Sequence, residues 1–274
     1  MRHRTTIPVN TIELSRPMRW LVLAWQDIDR CRWVSFAHGL VPCVFGLLLL
    51  TLARNQFWLL AGAFSGFLVV APVLATGLYA SSRAIERGEK PTFKLVLQTW
   101  LSWRHHGSSR DSKDWRLVKF GLLLGLAGTG WVLTSAALIT LLSPVPIEKP
   151  LDFLRFVVLA QDNWLFELWL ALGGLMAAPI FASSAIALPL LLDRRVSVLQ
   201  AVTTSWQTVL ANPLPMAWWA FLIMGFTLLG LCSVLIGLIA VIPMLGHASW
   251  HAYRDLVDVS ALPERVYDAD TDNT

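Results

Sequence analysis

The chain has 274 residues, 55% of them hydrophobic and 15% charged, with a formal net charge of +4 and a mean hydropathy of +0.58. Soluble domains carry about a quarter charged residues, so this balance excludes an ordinary water-soluble globule and points to a membrane protein. Basic residues flank the apolar runs instead of forming one dense patch, which argues against nucleic acid as a partner.

Residues 1–33 hold six Arg and no uninterrupted apolar core, so no cleavable signal peptide is expected and the first span serves as the targeting signal. Within them Pro17–Arg30 is amphipathic. A spanning helix needs about 20 mostly apolar residues. Residues 34–53 and 57–80 supply the first two, with Arg54-Asn55-Gln56 as a tight turn between them. A second amphipathic stretch, Thr92–Trp103, repeats apolar residues at helical spacing (Phe93, Val96, Leu97, Trp100, Leu101). The third span, 118–142, ends at the breaker Pro144-Val145-Pro146, and a longer outer loop (143–163) leads to the fourth, 164–192. A third amphipathic stretch, Ser197–Leu210, precedes an apolar run over 214–250 that is too long for one crossing. It reads as two helices, 214–232 and 234–255, meeting near Gly230 to Ser233; five spans result if it holds one crossing and a buried element.

The expected fold is therefore all-α, a polytopic membrane helix bundle with six transmembrane helices. They form three hairpin repeats, each preceded by a cytoplasmic amphipathic helix lying in the interface plane. Residues 1–262 make one integral membrane domain, and 263–274 a disordered, solvating acidic tail. Each returning helix carries a glycine six residues before a proline: Gly66 to Pro72, Gly173 to Pro179 and Gly237 to Pro243. Glycine allows close backbone approach, and proline removes one helix hydrogen bond and kinks the helix. Gly62-x3-Gly66 and Gly121-x3-Gly125 have the spacing of tight helix contacts. These features build a compact bundle; the competing reading is a transporter whose broken helices line a path. Carboxylates are missing from every expected span interior, which weighs against a proton-coupled carrier.

Orientation follows from Lys and Arg. With both termini cytoplasmic, 19 of the 22 basic residues lie inside, and Arg54, Lys149 and Arg155 lie outside. Fourteen Trp, many near the ends of apolar runs (Trp33, Trp58, Trp115, Trp164, Trp218, Trp250), suit a headgroup belt. Cys31, Cys43 and Cys232 are too few and scattered for a disulfide framework.

The densest local signal is Gly246-His247-Ala248-Ser249-Trp250-His251-Ala252-Tyr253-Arg254-Asp255. His247 and His251, four apart, share one helix side as a metal or haem ligand pair would, and His38 lies at a similar depth. His105 and His106 sit in the basic inner loop. The simpler reading is an interfacial belt in which Trp250, Tyr253 and Arg254, with Arg83 and Arg87 of the second span's end, contact lipid or the interface. No Walker loop, Gly-x-Ser-x-Gly elbow or dinucleotide fingerprint occurs, which speaks against an enzyme, and no cofactor is called for.

Gly66-Phe67-Leu68-Val69-Val70-Ala71-Pro72, Gly77-Leu78-Tyr79 with Ser82-Arg83 and Glu86-Arg87-Gly88, and the closing stretch Pro243 to Asp255 resemble the domain-of-unknown-function 2189 family of bacterial integral membrane proteins. The resemblance runs over about residues 15–258. It implies a bacterial inner-membrane protein with no established activity, and a loose cytochrome-oxidase-related label in the family hints at respiratory complexes. This sequence lacks the array of histidines a haem–copper subunit needs. Three functions are carried forward. The first is a non-catalytic scaffold or assembly factor whose partners are membrane lipids and other membrane proteins or further copies of itself. The second is a transporter or channel for a small neutral or lipidic solute, and the third a His-ligated metal or haem protein.

Overall fold

The computed structural model describes residues 7–53, 57–101, 115–160 and 164–265; for 57–59, 61–70, 72 and 73 it describes the backbone alone. The Arg54–Gln56 turn, His105, His106 and residues 266–274 lie outside these. Regular structure among the described residues is helical, with two isolated bridge pairs, Val9–Val257 and Arg194–Glu264.

The first amphipathic stretch forms α1 (Arg16–Cys31), followed after a turn at Arg32 by α2 (Trp33–Leu52). α3 (Phe57–Glu86) runs one and a half turns past the expected 57–80, because Ser81, Ser82, Arg83 and Ala84 are buried and the helix stops only at Gly88, whose φ of 74° is left-handed. α4 (Phe93–Leu101) and α5 (Arg116–Leu142) follow. The outer loop folds into α6 (Pro150–Phe153) and a single π-turn (Leu154–Val158), whose Val157 packs with Ile139, Ile147 and Leu165.

The expected 164–192 helix is broken. α7 (Leu165–Ser184) ends one turn before Pro189, and α8 (Ala187–Asp193) restarts after Ile186. Pro189 has no N–H to give the carbonyl of residue 185, which favours a break at that point. Ile186 N–H is satisfied instead by Ser205 Oγ at 3.2 Å. α9 (Val198–Ala211) starts at a capping box, with Ser197 Oγ accepting Gln200 N–H at 3.2 Å and Gln200 Oε1 accepting Ser197 N–H at 3.0 Å. α10 (Pro213–Cys232) and α11 (Leu238–Leu256) are joined by a tight turn in which Val234 and Leu235 take φ of 54° and 66°. The expected second boundary therefore moves from 234 to 238.

Among the described residues, four segments are long and apolar enough to cross a membrane: Trp33–Leu52, Arg116–Leu142, Leu165–Asp193 and Pro213–Cys232. Their outward rows are apolar, for example Leu40, Val44 and Leu48 on α2, Leu122, Leu126 and Leu133 on α5, and Phe221, Leu228 and Leu229 on α10. α11 is the central helix, packed against α1, α2, α3 and α10. The amphipathic helices α1, α4 and α9 lie against α11, α3 and α7 respectively. Each also exposes large apolar residues: Val22 and Trp25, Phe93 and Leu97, Leu199 and Leu210. On α9 it is the small and hydroxyl face (Ala201, Thr204, Ser205, Thr208) that is buried, with Thr204 and Thr208 hydroxyls returned to carbonyls four residues back at 2.8 Å.

Close contacts occur at some of the glycines the spacing singled out, Gly173 and Gly237, and at others it did not, such as Gly39. A Cβ on Gly39 of α2 would sit 2.5–2.6 Å from the backbone of Leu238 and Ile239 of α11, whereas one on Gly121 would meet nothing within 4 Å. Gly173 faces the Trp131 ring, at 3.1 Å from such a Cβ, and Gly237 abuts Ser233 and Gly230 in the α10–α11 turn. Pro179 and Pro243 lie inside α7 and α11; Gly66 and Pro72 lie in the part of α3 described by backbone alone. Gly39→Ala should therefore destabilise the detergent-solubilised protein by roughly 1–3 kcal/mol, since backbone must move. Gly121→Ala should be neutral or stabilising by about 1 kcal/mol at most. Thermal unfolding of the two variants checks this, and equal losses would contradict it.

Candidate functional site

One end of the bundle holds a buried polar layer, to which α1 contributes a carboxylate. Its buried stripe is Trp20, Leu21, Ala24, Asp27, Ile28 and Cys31, so Asp27 occupies an apolar register position and is only 4% exposed. Asp27 Oδ2 accepts from Ser82 Oγ of α3 at 2.6 Å and from His251 Nε2 of α11 at 2.9 Å. Ser82 Oγ also lies 2.7 Å from His247 Nδ1, and His247 Nε2 lies 2.8 Å from Ser35 Oγ in the first turn of α2. A hydroxyl has one proton, and that of Ser82 goes to the carboxylate, so His247 must donate from Nδ1 to Ser82 and accept from Ser35 at Nε2. Burial opposes ionisation of Asp27, but the hydrogen bonds from His251 and Ser82 and the nearby imidazoles outweigh it and hold the carboxyl below its usual range. Burial pushes the neighbouring Cys31 thiol up to about 11.

A second carboxylate lies in the same layer, one residue along α3 and two along α11. Asp193, at the end of α8, is ion-paired with Arg83 (Nε–Oδ1 2.9 Å) and accepts from Tyr253 Oη at 2.7 Å and from Arg194 Nε at 3.0 Å. Arg83 also donates to the Arg265 carbonyl at 2.6 Å, and Arg265, itself buried, donates to the Asp193 and Leu191 carbonyls at 2.9 and 3.1 Å. Glu264 pairs with Arg87 at 2.5 Å and Arg194 at 3.3 Å. Residues 263–265, expected to open the acidic tail, are anchored by these contacts and by Arg195 N–H on the Pro263 carbonyl. On the flank, Arg16 holds Asp255 at 2.6 and 2.9 Å while Trp20 Nε1 donates to the same carboxylate at 3.0 Å.

Most residues expected at a lipid-facing belt are inside the protein. Arg83 (7% exposed), Trp250 (1%) and Tyr253 (0%) are buried, because the layer uses their polar ends to join helices. Trp250 packs edge-on against Tyr253, ring centroids 5.4 Å apart. Arg87 and Arg254 keep partial exposure, Arg254 pairing with Glu86 at 3.2 Å. His247 and His251 do share a helix side, and what they meet there is Asp27, at 3.8 and 2.9 Å. His38 Nδ1 donates to the Val34 carbonyl at 2.7 Å, and its ring stands edge-on to Trp100 against Gly77. Among the described residues no three His, Cys, Asp or Glu are arranged to hold a metal ion.

Asp27, Ser82, Ser35 and Asp193 escaped the sequence reading. For Asp27 the signal was present in the Trp20-Leu21-Ala24-Asp27-Ile28-Cys31 stripe, and the charge suggested a solvated face instead. The two serines carried no signal, since their role depends on which helices meet.

A family model described as "Predicted integral membrane protein (DUF2189)" matches residues 59–193, from α3 to Asp193 at the end of α8. The similarity to that family covers just under half of the chain. The family segment supplies Ser82, Arg83 and Asp193 to the polar layer, and α1, α2 and α11 outside it supply the rest. No curated protein and no solved structure matches the chain.

Two predictions follow from the layer's geometry. Arg83→Ala removes one of the two arginines paired with the buried Asp193 and should cost up to about 3–5 kcal/mol. Arg87→Ala removes a half-exposed pair and should cost about 1 kcal/mol or less, both read by unfolding in detergent. Because Asp27 titrates lower folded than unfolded, its stabilisation is complete above the unfolded value of about 4 and is lost as pH falls through the folded value. Asp27→Asn should therefore be less stable than wild type at neutral pH, and the gap should close in acid; a gap independent of pH would contradict the ionised carboxylate.

Proposed function

We propose that this integral membrane protein crosses the bacterial inner membrane six times, as three helical hairpins with both termini cytoplasmic, and works as a non-catalytic scaffold or assembly factor for other membrane components. The hairpin reading is supported by a shared arrangement: α1, α4 and α9 each pack on the returning helix of the preceding unit, with α1 on α11 linking first to last. The observation that carries the scaffold reading is that Asp27, Asp193, Arg83, His247 and Tyr253 all spend their polar atoms on one another or on neighbouring helices. The large outward apolar residues of α5, α7 and α10 supply area for lipid and for membrane partners. In-membrane cross-linking of the natively expressed protein should capture a reproducible membrane-protein or self partner; a solitary species at every cross-linker length would overturn the scaffold role.

A second reading, a transporter for a small neutral or lipidic solute, gains from one finding: an acid, Asp27, is buried in the bundle where the sequence suggested none. Cysteines placed beside Pro179 and Pro243 distinguish the two. Labelling by a water-soluble maleimide favours transport, and a dry centre removes it.

A further inference from the structure

His247 is fully buried, yet both ring nitrogens meet hydroxyls, and a hydroxyl oxygen can either donate or accept by rotating its O–H. Ser82 already accepts from Nδ1–H while passing its own proton to Asp27. Ser35 donates to Nε2, and by rotating its O–H it would accept from Nε2–H with no heavy atom moving. We propose that Ser35, His247, Ser82 and Asp27 form an internal proton-binding site that takes one proton from water onto His247 Nε2.

The balance is simple. The incoming proton, given up by a hydronium ion that becomes water, forms the Nε2–H bond; Nδ1–H stays in place, and the Ser35 hydroxyl changes from donor to acceptor. The new imidazolium is compensated by the Asp27 carboxylate, 3.8 Å from Nδ1 and bridged by Ser82. The groups facing the site are few. From α11 there is His251, 13% exposed at the rim and bonded to Asp27, which gives the site its contact with water. From α1 there is Cys31, and from α2 His38, one turn beyond Ser35. From α3 comes Arg83, whose Nε is directed to Asp193 at 2.9 Å. A resident proton site in a bundle crossing the membrane is the element a proton-coupled carrier requires, so this inference deepens the transport reading without depending on the solute.

The test is histidine-labelled nitrogen NMR of the full-length protein in lipid nanodiscs across a pH titration, with circular dichroism of the same samples and His247→Gln to assign the signal. The expected result is an Nδ1–H imidazole at neutral pH that becomes doubly protonated in acid while helix content is unchanged. Asp27→Asn should move that transition down by about one to three pH units, and Ser35→Ala should also move it down by removing the Nε2–H acceptor. A His247 signal that stays neutral until the helices melt would overturn the proposal, as would a transition that neither substitution moves. Should Asp27→Asn fail to fold, the wild-type titration and Ser35→Ala still decide. The failure of proton binding is separable from that of transport, because maleimide access to the centre reports on the path independently.

Discussion

Asp193 receives an arginine from α3, a tyrosine from α11 and a second arginine from its own flank, all in a region closed to solvent. Asp27 does the equivalent for α1, α3 and α11. A carboxylate taken from water costs several kcal/mol unless its partners are placed to meet it, so neither acid tolerates a shift of the helices that feed it. Along the membrane-length helices the outward rows are apolar side chains, which resemble the lipid too closely to give the helices a hydrophobic reason to associate. Polar pairing and close backbone contact, as at Gly39 against α11, therefore decide how the bundle packs.

This constraint also explains why α11 is central although it is the least lipid-like of the long helices. It brings His247, His251, Tyr253 and Asp255 to one end, and between them they bond four neighbours: His247 to α2 and α3, His251 and Asp255 to α1, and Tyr253 to α8. The chain ends reinforce the layer. The amino-terminal strap bonds to Asn212, with Ile12 N–H on its Oδ1 at 2.8 Å, and to the stretch after α11 through Asn10 N–H and the Leu256 carbonyl at 2.9 Å. The carboxy-terminal strap closes over Asp193 through Arg265.

Hydropathy and basic-residue placement made the helices legible, and α2, α5 and α10 begin and end within two residues of expectation. Boundaries failed where tertiary packing overrode local signals. α3 continues because its polar end is buried, and α7 breaks before Pro189, where a missing donor combines with the bond from Ile186 N–H to Ser205 in a segment whose apolar composition alone suggested continuity. The polar layer was legible only in fragments. Trp250, Tyr253 and Arg83 looked like belt residues because amphipathic side chains suit an interface, and periodicity cannot say whether the apolar medium is lipid or protein. Pairing information of the kind that joins Asp27 to His251, 224 positions away, is not contained in local spacing.

The most direct measurement is fluorescence of single-tryptophan variants in bilayers containing acyl-chain-brominated lipid. Trp25, Trp33 and Trp206, exposed on α1, α2 and α9, should be quenched, whereas Trp20, Trp219 and Trp250, each 2% exposed or less, should not. Quenching of Trp250 to the level of Trp25 would mean that hydrocarbon reaches the polar layer, and would contradict the claim that protein encloses it.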